Sequence, residues 1–201
     1  MKVTYTLTAA LSSLASAQVY SGPLYVYGDS TTTEVNNLQV FSNGETIYLG
    51  DSKALNDPEY APVICNSTQH PPLVPPLTSF ADSLDLSGDD TTAKIYLNPN
   101  TTGLSQKPTW SNRILAEPNY TGASGLKAVA LDPNAGNLAD YRTKWFAYHS
   151  LLFSAADNGD ASYSGREYAE RSAVSGVWDV YAYWIGSADN HHFNFRTAPI
   201  V

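Results

Sequence analysis

Residues 38–49 read LQVFSNGETIYL, and this stretch predicts the fold class more directly than any other part of the chain. Two short runs rich in apolar and β-forming residues, 38–41 and 46–49, flank a turn that contains Asn43 and Gly44. An Asn-Gly pair readily supplies the positive φ angles of a tight hairpin turn. The stretch therefore predicts a β-hairpin.

Short runs of the same kind recur along the chain, separated by Gly, Asp, Asn and Pro. They lie at residues 24–27, 80–86, 93–97, 126–131, 177–185 and 191–196. The last two runs predict a second hairpin, joined by residues 186–190. The pattern as a whole predicts an all-β fold, namely an antiparallel sandwich of short strands with long loops. A β-trefoil is the alternative architecture.

Three segments depart from this simple pattern. Apolar and aromatic residues recur at helical spacing over residues 138–152, but the part from Trp145 to Phe153 also reads as a strand, which we favour. A helical turn is possible at residues 166–171. The proline-rich stretch 50–78 predicts a surface loop, because proline removes the backbone donors that a central strand needs.

Residues 1–17, MKVTYTLTAALSSLASA, have the pattern of a secretory signal peptide. A single positive charge precedes a short apolar stretch, and Ala15 and Ala17 place small side chains where signal peptidase needs them. We therefore expect cleavage before Gln18 and one secreted β-rich domain over residues 18–201.

The composition excludes several classes of function. The chain carries 11 Lys+Arg against 19 Asp+Glu, a net charge of −8, without a basic cluster, so neither nucleic acid nor an anionic membrane is an expected partner. The single cysteine, Cys65, excludes an internal disulfide and a cysteine-based zinc or iron–sulfur site, and it either pairs between chains or stays free.

Three N-x-[ST] sequons, at Asn66, Asn100 and Asn119, lie in stretches that the sequence pattern places in loops. Loops tolerate a bulky glycan, so all three are predicted glycosylation sites. No run after the signal peptide is long and apolar enough to span a membrane, and the C-terminus lacks the hydrophobic tail of a GPI signal. The sequence therefore predicts an extracellular glycoprotein without a membrane span.

A strand followed by Gly-Asp-Ser occurs twice, ending at Ser30 and at Ser52. The first copy resembles the nucleophile block of the GDS-type (SGNH) esterases, and residues 189–192, DNHH, resemble that family's Asp-x-x-His block. The resemblance implies Ser30 as nucleophile, His192 as base and Asp189 as the residue that orients it. The repetition, the absent Gly-x-Asn-Asp block and the shortage of helices favour a turn motif instead.

A carboxylate glycosidase is the second enzymatic alternative. Four acidic residues lie among aromatic ones: Asp140, Glu167, Glu170 and Asp179. Because acidic residues are abundant, spacing selects no catalytic pair among them. Neighbouring His191 and His192 point to opposite faces of a strand and do not readily share a metal ion. We therefore assign no catalytic residue, metal ligand or cofactor.

Aromatic residues cluster within residues 177–196. On a strand, Trp178 and Trp184 share one face. Tyr181 and Tyr183 share the other. One face must be core, and the other would present flat rings near carboxylates and amides, on which sugar rings stack. These four residues are the predicted ligand-binding residues, and the alternative is that both faces are buried.

Residues 37–51, NLQVFSNGETIYLGD, resemble the N-terminal part of fungal secreted cell-wall proteins of the phialide (PhiA-like) type. Residues 175–183, SGVWDVYAY, resemble that family's C-terminal Gly-x-Trp-x-x-Tyr/Trp-Ala strand, and residues 145–153 are similar in position to its Trp-led strand. The family's several cysteines are absent here, so no disulfide stabilisation is implied. The resemblance implies a small β-rich protein of the hyphal or conidial wall, involved in asexual development, with no catalytic residues to carry over.

These observations predict a secreted, non-enzymatic cell-wall or cell-surface glycoprotein that binds wall polysaccharide through tyrosines and tryptophans. The alternative is a small secreted hydrolase, either the esterase that uses Ser30 and His192 or a carboxylate glycosidase.

Overall fold

The computed structural model describes residues 21–28, 33–67, 94–119, 126–148, 150–155, 163–164, 167–182 and 191–197. Within these ranges the chain forms fifteen β-strands and three short 3-10 helices. The strands are β1 Ser21–Pro23, β2 Tyr25–Gly28, β3 Val40–Ser42, β4 Ile47–Gly50, β5 Ala61–Ser67, β6 Ile95–Pro99, β7 Arg113–Pro118, β8 Val129–Leu131, β9 Tyr141–Arg142, β10 Lys144–Tyr148, β11 Leu151–Ala155, β12 Tyr163–Ser164, β13 Glu167–Arg171, β14 Val177–Tyr181 and β15 His191–Arg196. The 3-10 helices are Thr33–Val35, Ser52–Leu55 and Leu138–Asp140. The all-β prediction is confirmed, and no helix in these ranges is long and apolar enough to cross a membrane.

The strands pair antiparallel in one continuous sheet, in the order β10-β11-β15-β13-β14-β4-β3-β5-β6-β7-β8. Four short strands lie off this path: β1 pairs with β5, β2 with β15, β9 with β7 and β12 with β11. Because the described strands form a single hydrogen-bonded sheet, neither the predicted two-sheet sandwich nor the β-trefoil is confirmed.

The sheet curves so that distant strands of this order meet. The indole Nε1 of Trp145 on β10 donates to the carbonyl of Leu115 on β7 at 2.8 Å. Beside β8, the amide of Ala128 donates to the carbonyl of Val180 on β14 at 3.1 Å. Buried apolar side chains from many of the strands consequently form one hydrophobic cluster inside the curve.

The hairpin predicted over residues 38–49 is confirmed. Strands β3 and β4 pair with Ser42 opposite Ile47, and Gly44 in the turn has a φ of +87°. A Cβ on Gly44 would lie 2.4 Å from the Trp110 ring, so both the backbone and the close packing require glycine here. The Asn43 Oδ1 accepts from the amide of Thr46 at 2.9 Å, which closes the turn.

The second predicted hairpin is wrong. Strand β13 lies between β14 and β15 and pairs with both of them, so the two strands of that hairpin are not neighbours. The helical turn predicted at residues 166–171 is also wrong, because residues 167–171 form β13. Its burial alternates with a period of two, as expected for a strand. In the ambiguous segment the strand interpretation is confirmed by β10 and β11.

The prediction of a loop across the proline-rich stretch is wrong for residues 61–67, which form β5 between β3 and β6. Pro62 is tolerated because it lies just beyond the register of β5 with β6, which ends where Val63 pairs with Pro99; on the other edge Pro62 pairs with Phe41 on β3. The Pro62 carbonyl still accepts from the amide of Asn100 at 2.7 Å. Residues 68–78 and the predicted strand at 80–86 lie outside the described residues.

Candidate functional site

Three neighbouring strands, β4, β13 and β14, bury one face and leave the other half-exposed. Leu49, Ala169 and Val180 on the inner face are fully buried. On the opposite face, Tyr168 of β13 lies directly across from Tyr181 of β14. Tyr48 of β4 lies across from Asp179, two residues before Tyr181, and therefore on the same side of the sheet. We call this surface the tyrosine face and define it by Tyr48, Tyr60, Tyr168 and Tyr181.

One part of the tyrosine face is a three-ring aromatic cluster. The Tyr48 ring stacks on the fully buried Phe41, with ring centroids 5.4 Å apart and planes 18° apart. Tyr60 adds a tilted ring 5.7 Å from Tyr48. Burial, together with the charge and hydrogen bond of Tyr48, raises the pKa of Tyr60. The buried Phe41 ring thus packs against two half-exposed phenol rings, those of Tyr48 and Tyr60.

Lys127 joins this cluster to Tyr181. Its Nζ lies 5.8 Å from the Tyr48 ring centroid and 5.7 Å from that of Tyr181, within the range of a cation–π contact. The same Nζ forms an ion pair with Asp179 Oδ1 at 2.7 Å. Partial burial lowers the pKa of Lys127, but the hydrogen bond and charge of Asp179 outweigh it and leave that pKa raised. A charged donor and an acceptor are therefore fixed between the rings.

Polar and aromatic side chains continue along the same side of the sheet. The His192 ring of β15 lies 5.4 Å from the ring of Tyr168. Farther along, Asn194 lies opposite Tyr27 of β2, which is 41% exposed. The guanidinium of Arg196 lies 5.9 Å from the Tyr27 ring centroid. The surface therefore offers aromatic rings alternating with hydrogen-bonding groups across several strands.

Of the predicted ligand-binding residues, Tyr181 lies on the tyrosine face and Trp178 does not. Trp178 is 6% exposed. Its ring meets His191 edge-on at 5.0 Å, and the guanidinium of Arg171 lies 4.6 Å from its centroid. This burial corrects the prediction that Trp178 belongs to a binding platform. Tyr183 and Trp184 lie outside the described residues, and their role stays a prediction.

Sequence reasoning missed three members of the face, Tyr48, Tyr60 and Tyr168, as well as Lys127. Tyr48 is part of a recognised strand, but its neighbours on β14 follow it by about 130 residues in the sequence. The alternation of β13 was a usable signal, because Tyr168 and Glu170 alternate with Glu167 and Ala169. Which strands become neighbours is set by the long-range pairing and is not visible in local pattern.

The described residues do not show how the three residues of the esterase hypothesis lie relative to one another. Ser30 and Asp189 lie outside them, and His192 is seen next to Tyr168. The second Gly-Asp-Ser copy has a structural role: Asp51 accepts from the amide of Lys53 at 3.0 Å and caps the 3-10 helix that starts at Ser52. This use of the motif agrees with its interpretation as a turn.

The four acidic candidates lie in different environments. Asp140 ends an exposed 3-10 helix, and Glu170 lies opposite Asp179, which is ion-paired with Lys127. Glu167 is fully buried and meets a second buried carboxyl group, Glu117, which no sequence pattern singled out. Because Glu117 is 1% exposed and Glu167 is 0% exposed, a glycosidic bond does not reach this pair.

The sequons lie in mixed surroundings. Asn66 is on β5, between Ser21 of β1 and Tyr96 of β6, so its predicted loop position is wrong. Asn100 follows β6, and its Oδ1 accepts from the amide of Thr102 at 3.1 Å. Asn119 follows β7, and its Nδ2 donates to the Ala139 carbonyl at 2.8 Å. Asn100 and Asn119 thus lie outside the strands, in agreement with their predicted loop positions, and glycosylation stays a prediction for all three sequons.

Cys65 is free and only 1% exposed. Burial raises the pKa of its thiol to about 12, so the reactive thiolate is not formed at neutral pH. Among the residues that the structure describes, no group of three or more His, Cys, Asp and Glu side chains is arranged to hold a metal ion.

Comparison with known proteins adds no relative. No protein-family model, no curated protein and no solved structure matches the chain.

Proposed function

We propose that the protein is a secreted, non-enzymatic cell-wall glycoprotein that binds neutral polysaccharide through its tyrosine face. The observation that carries the proposal is the placement of Tyr48 and Tyr181 around the Lys127–Asp179 ion pair, with Tyr60 beside Tyr48. Sugar rings pack against aromatic rings through their C–H groups, and fixed donors and acceptors bind their hydroxyls. The face supplies both kinds of contact within one surface.

The charge of the surface favours a neutral ligand. The chain has a net charge of −8, and the one lysine of the cluster is already neutralised by Asp179. Glu170 lies next to Asp179 on the same side of β13 and β14 and adds a further negative charge. An acidic polysaccharide would be repelled, whereas a glucan or chitin chain would not.

Two features of the sequence support an extracellular location. Residues 1–17 have the pattern of a signal peptide, and the chain carries sequons at Asn66, Asn100 and Asn119. The resemblance to fungal cell-wall proteins supports the wall as the place and asexual development as the process. A non-catalytic role for Asp179 is supported by its ion pair with Lys127.

Co-sedimentation with insoluble polysaccharides tests the proposal. The full secreted protein is mixed with chitin, with β-glucan and with an acidic polysaccharide, and the bound fraction is measured. We expect retention on at least one neutral polymer and none on the acidic one. Replacing Tyr48 and Tyr181 together by alanine should abolish retention, because both rings that flank Lys127 are then lost.

Tyr96→Ala is the matched control, since Tyr96 is a half-buried tyrosine on β6 that is not part of the face. It should be retained like the natural protein. Tyr183→Ala and Trp184→Ala test the two predicted residues that the structure does not describe. The proposal is wrong if the Tyr48/Tyr181 variant binds as well as the Tyr96 control, or if the natural protein binds no neutral polymer.

A further inference from the structure

Two glutamates from distant strands meet in the core. Glu117 on β7 and Glu167 on β13 are 1% and 0% exposed. Three of their four oxygens, Glu117 Oε1 and both oxygens of Glu167, have no well-formed hydrogen bond among the described residues, and the one donor near Glu167 is its own backbone amide. Buried ions without partners are costly, so a different protonation state must hold here.

The surroundings of the pair identify that state. The Ser154 hydroxyl of β11 hydrogen-bonds to Glu117, and Arg142 of β9 lies across from Glu117 and acts on it through its charge. Glu167 lies opposite Phe193 of β15, and the charged group acting on it is Glu117. The other titratable side chain of β15 on this side of the sheet is His191, which lies opposite Ala169 and against Trp178. Glu117 therefore has the better support for a negative charge, and a protonated Glu167 would supply the hydrogen-bond donor that the pair lacks.

Burial is the main reason why the pKa values of both carboxyl groups are raised. The charge and hydrogen bond of Glu117 raise the pKa of Glu167 further, whereas the hydrogen bonds of Glu167 and Ser154 partly offset the rise for Glu117. Two carboxyl groups in contact in a low-dielectric interior cannot both ionise easily. One proton held between them removes the repulsion and supplies the missing donor.

We propose that Glu117 and Glu167 form a proton-sharing link between β7 and β13, which stabilises the fold in acid and weakens it as the pH rises. The link joins strands that are far apart in the order of the sheet. It therefore connects two parts of the sheet that do not pair with each other. Loss of the shared proton places two negative charges in contact inside the core and loosens it.

The direction of the pH dependence follows from linkage. A carboxyl group whose pKa is higher in the folded than in the unfolded protein stabilises the fold fully below its unfolded value, about 4.3 for glutamate. This contribution declines as the pH rises toward the folded value. For one proton, the unfolding equilibrium constant then increases by up to about tenfold per pH unit.

Urea unfolding of the full chain between pH 4 and pH 8 tests the link. In the natural protein we expect the unfolding constant to rise with pH. In Glu167→Gln the amide is a permanent donor to Glu117, so the rise should be smaller than in the natural protein, and the variant should be more stable than the natural protein at pH 8. Glu170→Gln, on the outer side of the same strand, is the matched control and should keep the natural pH dependence.

Two further measurements keep the test decisive if Glu167→Gln fails to fold. Glu117→Gln removes the same repulsion and should also reduce the pH dependence. Carbon-13 NMR of glutamate carboxyl groups in the natural protein should show at least one that titrates well above the others. The proposal is overturned if all glutamates titrate in the ordinary range, or if the pH dependence is the same in Glu167→Gln and Glu170→Gln.

Discussion

The two faces of strands β4, β13 and β14 have the same backbone and opposite environments. Trp178 and Tyr181 are three residues apart on β14, yet Trp178 is packed against His191 and Arg171 while Tyr181 is half-exposed beside Lys127. Aromatic content alone therefore does not mark a binding surface. The strand register decides which ring serves the core and which remains available to a ligand.

The largest effect should come from the inner face, at Trp145. This side chain is 1% exposed, packs edge-on against Phe195 and donates to the Leu115 carbonyl. Trp145→Ala should lower the free energy of unfolding by about 3–5 kcal/mol, because it leaves a cavity and an unpaired carbonyl. Trp145→Phe keeps much of the packing and should cost less. A loss below about 1 kcal/mol in urea unfolding of Trp145→Ala would contradict the interior placement.

An intermediate effect is expected at Gly44, which sets the register of β3 and β4 and so decides which face Tyr48 occupies. Gly44→Ala places a Cβ against the Trp110 ring at a φ of +87° and should cost about 1–3 kcal/mol. Gly136→Ala is the control, since its Cβ would meet nothing within 4 Å. Equal thermal midpoints for the two variants would show that the turn tolerates side chains.

The smallest effect on stability should come from the outer face, at Lys127. Its ion pair with Asp179 is partly exposed, with 39% of the Lys127 side chain accessible, so Lys127→Met should change the free energy of unfolding by at most about 1 kcal/mol. Retention on a neutral polysaccharide should nevertheless fall, because a fixed donor is lost. Lys94→Met, at an exposed position away from the face, should change neither quantity. A large loss of stability in Lys127→Met would mean that this surface belongs to the core.

Local chemistry made part of this structure predictable. The 38–49 hairpin depends on an Asn-Gly turn and near neighbours, and the opposite faces of Trp178 and Tyr181 follow from strand geometry. Strand β13 was missed because it enters between two segments that look like a hairpin in the sequence. Pairings such as Tyr48 with Asp179, or Glu117 with Glu167, join residues from distant parts of the chain, and no local pattern encodes them.

A side-by-side measurement of Trp178→Ala and Tyr181→Ala tests the division between the two faces most directly. For each variant, the free energy of unfolding and the fraction retained on a neutral polysaccharide are determined. We predict that Trp178→Ala loses about 3–5 kcal/mol of stability, whereas Tyr181→Ala loses about 1 kcal/mol or less and most of its retention. A Tyr181→Ala variant that binds normally, or that unfolds as readily as Trp178→Ala, would contradict the division.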